Sequence, residues 1–490
     1  MNLLTNQEVK SFSTEQLREI LAPFKFKTTP HNHQLASLAW ALERKRIAYW
    51  LDIGTGKTLI ALYTLKIWNC QRILVICPNS IIYKTWAEEI TKHTGWKYSV
   101  LKGNQHQRRY KLDIPARVYI INYEGLKYLW ARKMEGGFKY DKNLLKDVDF
   151  DAIVFDESHS MKSRKALVTK IASGLSLKIP NVIMMTGSPL TNNLQDLWAE
   201  SFVLDHGMSL GTSFYGFLNT YFNKYGFEWK PKRWALEDII HQLADKTIRY
   251  ERDECFDLPD LTYERRQVNM SQDQIEYTRQ VIENEISDET LYNKPVAILN
   301  VGNRLLQIAG GFALIEGKDT VFKTNPKMNE LGRLFEEISG QVIVFHQYIQ
   351  EGRMIEELCK RRKIKFASMR GETKDKDEQV RKFQVGECKV LVAHPACAGQ
   401  GLNFQNCNTI IFYSNDYNMT HRMQAIGRIY RMGQKKPCLI IDLVATDGET
   451  DGIDVRILEA LKNKQEMAQS VLDYMLGKKL EEELIERMEQ

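Results

Sequence analysis

The sequence lacks the long apolar run that a membrane-spanning helix requires. Its 490 residues are 43% hydrophobic and 27% charged, as in ordinary globular proteins, and no stretch approaches the ~20 apolar residues that cross a bilayer. Residues 1–20, MNLLTNQEVKSFSTEQLREI, also lack the basic and then apolar order of a secretory signal peptide. We therefore expect a protein that stays inside the cell.

Paired cysteines and an excess of one charge are missing as well. The eight cysteines include no CxxC pair and no matching histidine pattern, so we expect buried free thiols and no structural zinc. The 68 basic residues stand against 62 acidic ones, and the net charge of +6 is too small over this length to identify a polyanion partner. If a nucleic acid binds, a local groove must bind it.

Short apolar runs followed by helix-like stretches occur in two series. Parallel strands that are buried on both faces read as such runs, and 490 residues are too many for one hydrophobic core. We therefore predict an α/β protein with two tandem lobes, each a parallel sheet flanked by helices. The first series is RILVICP (72–78), VYIIN (118–122), FDAIVFDE (150–157) and VIMMTGS (182–188), and the second is QVIVFH (341–346), IKFASM (364–369), KVLVAHP (389–395), TIIFYS (409–414) and CLIIDLV (438–444).

A connector-like segment, LPDLTYERRQVNMS at 258–271, indicates the boundary between the lobes. We place the first lobe at 1–265, with a helical insertion at about 198–250 where the chain is aromatic-rich. The second lobe is expected at 266–476. The charged end at 477–490 is predicted to be a helix, for which a solvated surface is favoured over a binding element.

A glycine-rich turn, GTGKT at 54–58, lies between an apolar and an amphipathic run. Glycines let backbone amides curl round phosphate oxygens, while Lys57 reaches the terminal phosphates and Thr58 ligates magnesium. Leu51 occupies the place of the leading glycine in GxxxxGK[ST], and helix-capping glycines produce similar strings. The predicted nucleotide-binding residues in this turn are Gly54, Thr55, Gly56, Lys57 and Thr58.

Two adjacent acids follow the apolar run in IVFDESH. The strand delivers Asp156 and Glu157 to its end, where Asp156 can hold the magnesium shell and Glu157 can polarise the attacking water. Two solvated acids in a loop would explain neither the preceding strand nor the spacing from the phosphate loop. We therefore predict that Asp156 is a metal ligand and that Glu157 is catalytic.

Two arginines in QAIGRIYRMGQ, Arg428 and Arg431, are three residues apart. On a helix both guanidinium groups would point the same way and could neutralise charge on a phosphoryl group bound to the other lobe. Two surface arginines on a basic helix are the alternative interpretation.

Ten segments follow one another along the chain: Gln34, DIGTGKT, CPNSIIYKTW, INYEGL, DESHSMKS, TGSPLTNN, VIVFHQY, MRGET, ACAGQGLNFQ and QAIGRIYRMGQ. In this order they resemble the motifs of the superfamily-two helicases, specifically their Swi/Snf-type DNA translocase branch. The resemblance covers about residues 30 to 436 and is closest in the DESH, TGSPLTNN, GQGLNF and final arginine segments. It implies two RecA-like lobes with ATP and Mg²⁺ in the cleft between them and DNA across their tops.

The resemblance also assigns roles to individual residues. Lys57, Glu157, Arg428 and Arg431 would be catalytic, and Gln34 would recognise adenine. Thr186 and Ser188 would couple the nucleotide state to DNA, although Gly187 and Pro189 also predict a turn there. Contacts to DNA phosphates, made without reading bases, are implied at Pro78, Asn79, Asn122, Thr186, His346, Ala396, Gly399 and Asn403.

Two departures from the branch stand in the last motif, where Gly427 replaces the usual acid and Tyr430 the frequent histidine. The chain also lacks the chromodomains, bromodomains and acidic tracts of large chromatin remodellers. We therefore expect a compact bacterial or bacteriophage member, cytoplasmic in a bacterial cell or a phage-infected host.

The expected function is an ATP-dependent translocase on double-stranded DNA, acting in remodelling, recombination or repair. A strand-separating DNA or RNA helicase is the first alternative, and it would need a wedge, for which the aromatic stretch at 214–234 is the only candidate. An ATP-gated DNA clamp is the second alternative, against which the complete set of catalytic residues argues.

Overall fold

The computed structural model describes residues 3–161, 163–187, 194–226, 228–286, 295–315, 318–373, 375–398, 402–448 and 452–463. These residues divide into two compact units after Phe256. Among them, no helix is both long and apolar enough to cross a membrane. All eight cysteines are free, and all but Cys255 and Cys397 are buried.

The first unit is built on a seven-stranded parallel sheet of order β11-β1-β8-β7-β2-β4-β3. Two antiparallel hairpins, β5–β6 and β9–β10, lie outside this sheet. The strands are β1 (Arg46–Leu51), β2 (Ile73–Cys77), β3 (Tyr98–Val100), β4 (Val118–Asn122), β5 (Ala131–Met134), β6 (Gly137–Tyr140), β7 (Ala152–Asp156), β8 (Asn181–Thr186), β9 (Phe222–Tyr225), β10 (Glu228–Pro231) and β11 (Thr247–Tyr250).

Helices cover both faces of this sheet, because successive residues of each central strand point to opposite sides and those on both sides are apolar. In β1, Tyr49 packs into one core cluster and Trp50 into the other. The helices are α1 (Asn6–Ser11), α2 (Thr14–Ile20), α3 (Asn32–Ala41), α4 (Lys57–Ile67), α5 (Glu88–His93), α6 (Gln105–Asp113), α7 (Leu126–Trp130), α8 (Leu167–Lys178), α9 (Asp196–Asp205), α10 (Phe214–Tyr221), α11 (Ala235–Leu243) and α12 (Arg252–Cys255).

The predicted helical insertion at 198–250 is helical only in part. It contains α10, α11 and most of α9, but its middle is the β9–β10 hairpin, and its last residues form β11, which pairs in parallel with β1 at the sheet edge. The aromatic stretch at 214–234 therefore spans a helix and a hairpin.

The second unit contains a six-stranded parallel sheet of order β12-β19-β18-β15-β17-β16 and the hairpin β13–β14. The strands are β12 (Leu261–Asn269), β13 (Phe312–Ile315), β14 (Lys318–Val321), β15 (Val342–Phe345), β16 (Phe366–Met369), β17 (Val390–Ala393), β18 (Thr409–Phe412) and β19 (Cys438–Thr446). The helices are α13 (Gln272–Ile286), α14 (Pro295–Ala309), α15 (Pro326–Glu337), α16 (Ile349–Arg361), α17 (Lys376–Gln384), α18 (Pro395–Ala398) and α19 (Met419–Ile426).

The predicted class, two parallel α/β sheets flanked by helices, is confirmed. The division after Phe256 lies before the predicted boundary at 265, because the polar connector forms β12 and pairs with β19 of the second sheet. The predicted charged helix at 477–490 lies outside the described residues.

Candidate active site

The predicted motifs of the first unit meet at one edge of its sheet. Strands β1, β2, β4, β7 and β8 run parallel, so their carboxyl ends lie together, which is where open α/β sheets bind ligands. The residues at or directly after these ends are Asp52, Pro78, Asn122, Asp156 and Thr186.

The glycine-rich turn after β1 has the backbone shape that a phosphate loop needs. Gly54 and Gly56 have φ angles of 91° and 84°, in the left-handed region that favours glycine. A Cβ on Gly56 would lie 2.3 Å from Nε2 of Gln34. Gly56 also caps α4 without a side-chain hydrogen bond, so the first-turn amides of this helix are available to an anion.

Lys57 is the first residue of α4, and its side chain turns back over the loop. Its Nζ donates to the carbonyl oxygens of Leu51 at 2.8 Å and Asp52 at 3.2 Å. Burial lowers the pKa of Lys57, while the charges of Glu157 and Asp156 oppose this shift. The ammonium thus lies near both predicted acids, beside the open amides.

The loop is held from behind by α3. Nε2 of His33 contacts the carbonyl oxygen of Thr55 at 2.8 Å, and Nε2 of Gln34 donates to the same oxygen at 3.1 Å. Oε1 of Gln34 accepts from the amide of His31 at 2.9 Å. Gln34, predicted to recognise adenine, is buried against the loop, so an adenine contact by this residue stays a prediction.

Asp52 ties the loop to the edge strand β11 and to α12, which sequence reasoning missed. Its carboxylate accepts from Nη2 of Arg249 at 2.8 Å and from the amide of Arg252 at 3.2 Å. Arg252 also donates from Nε to the carbonyl oxygen of Ile53 at 2.9 Å. Burial alone would raise the pKa of Asp52, but the two arginine charges hold it below its ordinary value.

Asp156 is the last residue of β7 and is buried. Its Oδ1 accepts from the amide of Glu157 at 3.0 Å and its Oδ2 from the indole Nε1 of Trp86 at 2.8 Å. The hydroxyl of Tyr123 donates to its carbonyl oxygen at 2.9 Å. Burial and the adjacent charge of Glu157 raise the pKa of Asp156 above its ordinary value, so the pocket favours a partner of positive charge.

Glu157 is held in a conformation that few non-glycine residues adopt. Its φ of 54° lies in the left-handed region, where such residues cluster at functional sites. Its Oε2 lies 3.5 Å from Nδ1 of His159, and this nitrogen lies 3.3 Å from the hydroxyl of Thr186. The chain therefore brings the predicted catalytic acid and Thr186 into contact with one imidazole.

Gly187 packs directly against the phosphate loop. A Cβ on this residue would lie 3.2 Å from Cγ1 of Ile53 and 3.6 Å from Nζ of Lys57. The end of β8 therefore reaches the loop by close approach. Ser188 and Pro189 lie outside the described residues.

The predicted arginines of the second unit converge, although not on a helix. Helix α19 ends at Ile426, and the amide of Arg428 bonds to the carbonyl oxygen of Ala425, a three-residue spacing tighter than that of an α-helix. Nη1 of Arg428 and Nη1 of Arg431 donate to the same carbonyl oxygen, that of Leu402, at 2.9 and 3.3 Å. The prediction of a shared direction holds, and that of a helix is wrong.

Gln434 holds the last motif together by side-chain hydrogen bonds to backbone groups. Its Nε2 donates to the carbonyl oxygens of Cys407 at 3.0 Å and Ile429 at 3.1 Å, and its Oε1 accepts from the amides of Lys435 and Lys436, each at 3.0 Å. The Gly-Gln ending of the motif therefore fixes the turn that carries the two arginines.

The predicted DNA contacts have different surroundings. Asn79 and Asn403 are exposed, and Pro78 and Asn122 are half-buried. Ala396 lies in α18, and Gly399 lies outside the described residues.

His346, one of the predicted DNA contacts, has a buried side chain. Its side chain is 1% exposed, its amide donates to the carbonyl oxygen of Ala393 at 3.1 Å, and its Nδ1 contacts the carbonyl oxygen of Tyr348 at 2.9 Å. Burial, with the nearby His394 and Arg370, lowers the pKa of this imidazole to about 3, so the ring is neutral. The apolar strand β15 continues the core up to this residue, and a DNA contact at His346 stays a prediction.

A glycine-rich loop before a helix, a lysine turned over it and paired acids on the neighbouring strand define a nucleoside-triphosphate hydrolase of the α/β class. A sequence model described as the SNF2-related domain matches residues 33–309, and one described as the helicase conserved C-terminal domain matches residues 326–433. The chain belongs to the SNF2 family and is an ATP hydrolase, as the motifs predicted.

Three curated proteins illustrate the relationship. The putative protein p41 of Acyrthosiphon pisum secondary endosymbiont phage 1 is 26% identical over 92% of this chain and 99% of its own length. The nuclear protein STH1/NPS1 of Saccharomyces cerevisiae is 25% identical over 84% of this chain and 32% of its own length. The putative ATP-dependent helicase/translocase YwqA of Bacillus subtilis is 24% identical over 94% of this chain and 51% of its own length. The chain thus spans only part of the two cellular proteins.

Among solved structures, the SWI2/SNF2 ATPase core of Sulfolobus solfataricus in complex with dsDNA is similar to this chain. It is 22% identical, with a TM-score of 0.42, over 95% of this chain and 98% of that one.

Proposed function

We propose that this ATPase moves along double-stranded DNA without reading its sequence. The observation that carries the proposal is the shared edge of the first sheet, where the phosphate loop and the paired acids lie beside the ends of β2, β4 and β8. Those three ends carry Pro78, Asn122 and Thr186, the residues that the family resemblance assigns to DNA. Pro78 and Thr186 then follow or end strands that neighbour β7, and Asn122 ends the strand beyond β2, so a change at the nucleotide would be close to the proposed DNA contacts.

The proposed chemistry assigns a separate task to each predicted catalytic group. The open amides of α4 and the ammonium of Lys57 bind the phosphates, and Glu157 orients and polarises the attacking water. Arg428 and Arg431 of the second unit are the residues that the family resemblance proposes for neutralising charge on the transferred phosphoryl group. Because Thr186 and Glu157 contact one imidazole, that of His159, loss of the phosphate is expected to change the position of Thr186.

Magnesium is the proposed metal of the reaction, and the donors fit it. Asp156 offers two carboxylate oxygens, each of which accepts one hydrogen bond among the described contacts and has a further lone pair, and Thr58 offers a hydroxyl in the first turn of α4. Oxygen donors from one carboxylate and a hydroxyl, completed by phosphates and water, are the ligands that Mg²⁺ takes in such sites. Bound there, the ion would neutralise charge on the phosphate oxygens.

A strand-separating helicase is the second candidate, and the β9–β10 hairpin favours it. The hairpin exposes Lys224 and Tyr225, and Lys224 lies over the ring of Trp229 at 5.9 Å. Exposed basic and aromatic side chains on a hairpin can bind a phosphate backbone and stack on bases.

The experiment that tests the proposal combines two assays on the full chain. ATP turnover is measured with duplex DNA, single-stranded DNA and RNA as separate activators, and movement is measured by displacement of a third strand from a triplex. ATP-dependent release of the third strand without separation of a plain or forked duplex supports translocation. Separation of a forked duplex without triplex release supports the helicase, and ATP-dependent DNA retention with neither activity supports a clamp.

A further inference from the structure

We infer that Trp86 is a positioning residue of the ATPase reaction, which holds the Asp156 carboxylate in its metal-binding orientation. The indole Nε1 donates to Oδ2 of Asp156 at 2.8 Å, and the backbone amide of Glu157 donates to Oδ1 at 3.0 Å. The carboxylate is therefore fixed at both oxygens. The amide belongs to the backbone and is present whatever residue follows Asp156. Among the described contacts, the indole of Trp86 is therefore the one side chain that orients this carboxylate.

The indole can orient the Asp156 carboxylate because core packing restricts the ring. Trp86 is fully buried in the core cluster on one face of the first sheet, together with Ile81 and Ile82. A buried ring with one N–H donor has a single direction in which to donate. A ligand carboxylate that is held in this way loses less freedom when it binds a metal, and such supporting partners typically contribute 10–100-fold to metal affinity.

The local backbone explains how Trp86 reaches Asp156. It lies in a π-helical segment, Ile82–Ala87, directly after the short 3₁₀ helix Asn79–Ile81 at the end of β2. Single π turns of this kind widen a helix and are frequent at functional sites. Strand β2 pairs with β7, so the segment that follows β2 brings the indole next to the carboxyl end of β7.

The test measures metal binding without turnover and rests on the proposed magnesium role of Asp156. Mn²⁺, which replaces Mg²⁺ and has an electron-paramagnetic-resonance signal when free, is titrated into the full chain bound to a non-hydrolysable ATP analogue. Trp86→Phe keeps an aromatic ring but removes the donor. We expect about 10-fold weaker Mn²⁺ binding, with unchanged affinity for the ATP analogue in the absence of metal.

Trp68→Phe is the matched control. Trp68 is buried in the same core cluster, and its Nε1 donates to the carbonyl oxygen of Ala41 at 3.0 Å. Trp68→Phe therefore removes the same atoms and one hydrogen bond, but it does not remove a contact to Asp156. Should Trp86→Phe fail to fold, incorporation of benzothienylalanine at position 86 keeps the shape of the indole and removes only the N–H.

Weaker Mn²⁺ binding in the Trp86 variant, with wild-type binding in the Trp68 variant, supports the inference. Equal losses in both variants would reduce Trp86 to a packing residue and overturn it. Asp156→Asn separates the two hypotheses, because wild-type Mn²⁺ binding in that variant contradicts the magnesium role itself. Weak binding in Asp156→Asn together with normal binding in Trp86→Phe overturns only the role of Trp86.

Discussion

Arg249 in the edge strand β11 donates from Nη2 to Oδ1 of Asp52 at 2.8 Å, across 197 positions of sequence. The contact joins the first residue after β1 to the last strand of the first sheet. Asp52 begins the phosphate loop, and its carbonyl oxygen accepts from Lys57. This ion pair therefore holds the start of the phosphate loop against the edge strand β11.

Loss of this pair is expected to lower stability and ATP affinity together. Arg249→Met leaves the carboxylate without its main cation, and removal of one partner of a buried pair costs about 3–5 kcal/mol in the free energy of unfolding; the low end is expected here because the Asp52 side chain is 26% exposed. The KM for ATP should rise because the loop is no longer held at Asp52. Urea unfolding and steady-state ATPase kinetics measure both effects. Wild-type values of both would show that the pair does not support the loop.

The contribution of the Asp52–Arg249 ion pair to stability should depend on pH, and Asp52→Asn should reveal this dependence. The native pKa of Asp52 lies below its ordinary value of 3.8, so the ionised group contributes stability that is present above about pH 4 and is lost as the pH falls through the native pKa. The stability difference between wild type and Asp52→Asn should therefore be largest near neutral pH and shrink in acid. Urea titrations at several pH values test this, and a constant difference would contradict it.

Lys57→Ala is expected to abolish ATP hydrolysis and to preserve the fold. Lys57 is half-buried at the start of α4 rather than on an exposed loop, and its Nζ bonds only to carbonyl oxygens of the loop among the contacts that the structure describes. No core side chain is removed, so the circular dichroism spectrum should be unchanged. Turnover at the wild-type rate would contradict the assignment of the phosphate loop.

Glu157→Gln should separate ATP binding from hydrolysis. The amide keeps the size of the side chain but cannot polarise water as a base, a loss that is typically worth about 10²–10⁴-fold in rate. Fluorescent-nucleotide binding should remain near that of the wild type while phosphate release falls. Hydrolysis at the wild-type rate would show that another group is the catalytic base.

The sequence predicted the parts of this site that are local in the chain. Apolar runs specified buried parallel strands, and parallel strands place their carboxyl ends together, so the phosphate loop and the paired acids could be assigned to one edge. Trp86 and Arg249 could not be assigned, because they meet Asp156 and Asp52 across 70 and 197 positions. A charged residue within the apolar strand TIRY was the only signal of Arg249.

Two local interpretations differ from the structure for physical reasons. Strand β12 alternates exposed and half-buried residues at a sheet edge, so its sequence reads as a polar connector although it pairs with β19. The helix α19 ends at Ile426 with Gly427 as its cap, and the following turns bring Arg428 and Arg431 together through the Leu402 carbonyl oxygen. Spacing alone does not distinguish this arrangement from a helix face.

Arg428 and Arg431 are expected to respond differently to truncation. Arg428 is 6% exposed and donates to the carbonyl oxygens of Leu402 and Gln424, so Arg428→Ala should lower the melting temperature as well as turnover. Arg431 is half-buried, and Arg431→Ala should reduce kcat by about 10³-fold or more with little change in melting or ATP affinity. Thermal melting and kinetics compare the two, and unchanged kcat in the Arg431 variant would remove it from the reaction.

Neutral substitutions in the β9–β10 hairpin should decide between translocation and strand separation. Lys224 and Tyr225 are exposed at the end of β9, whereas Phe222 at its start is buried in the core. Lys224→Ser with Tyr225→Ser therefore changes the surface and leaves the packing intact. A matched double variant in the β5–β6 hairpin, Lys133→Ser with Met134→Ser, removes one exposed charge and one exposed apolar side chain from a hairpin of the same length.

If the chain is a translocase that tracks the DNA backbone, the β9–β10 variant should displace triplexes at near the wild-type rate. The KM for DNA should rise at most modestly, and this rise should be steeper at high salt. Selective loss of forked-duplex separation in this variant, with the β5–β6 control unaffected, would instead identify the hairpin as a strand-separating wedge and favour the helicase.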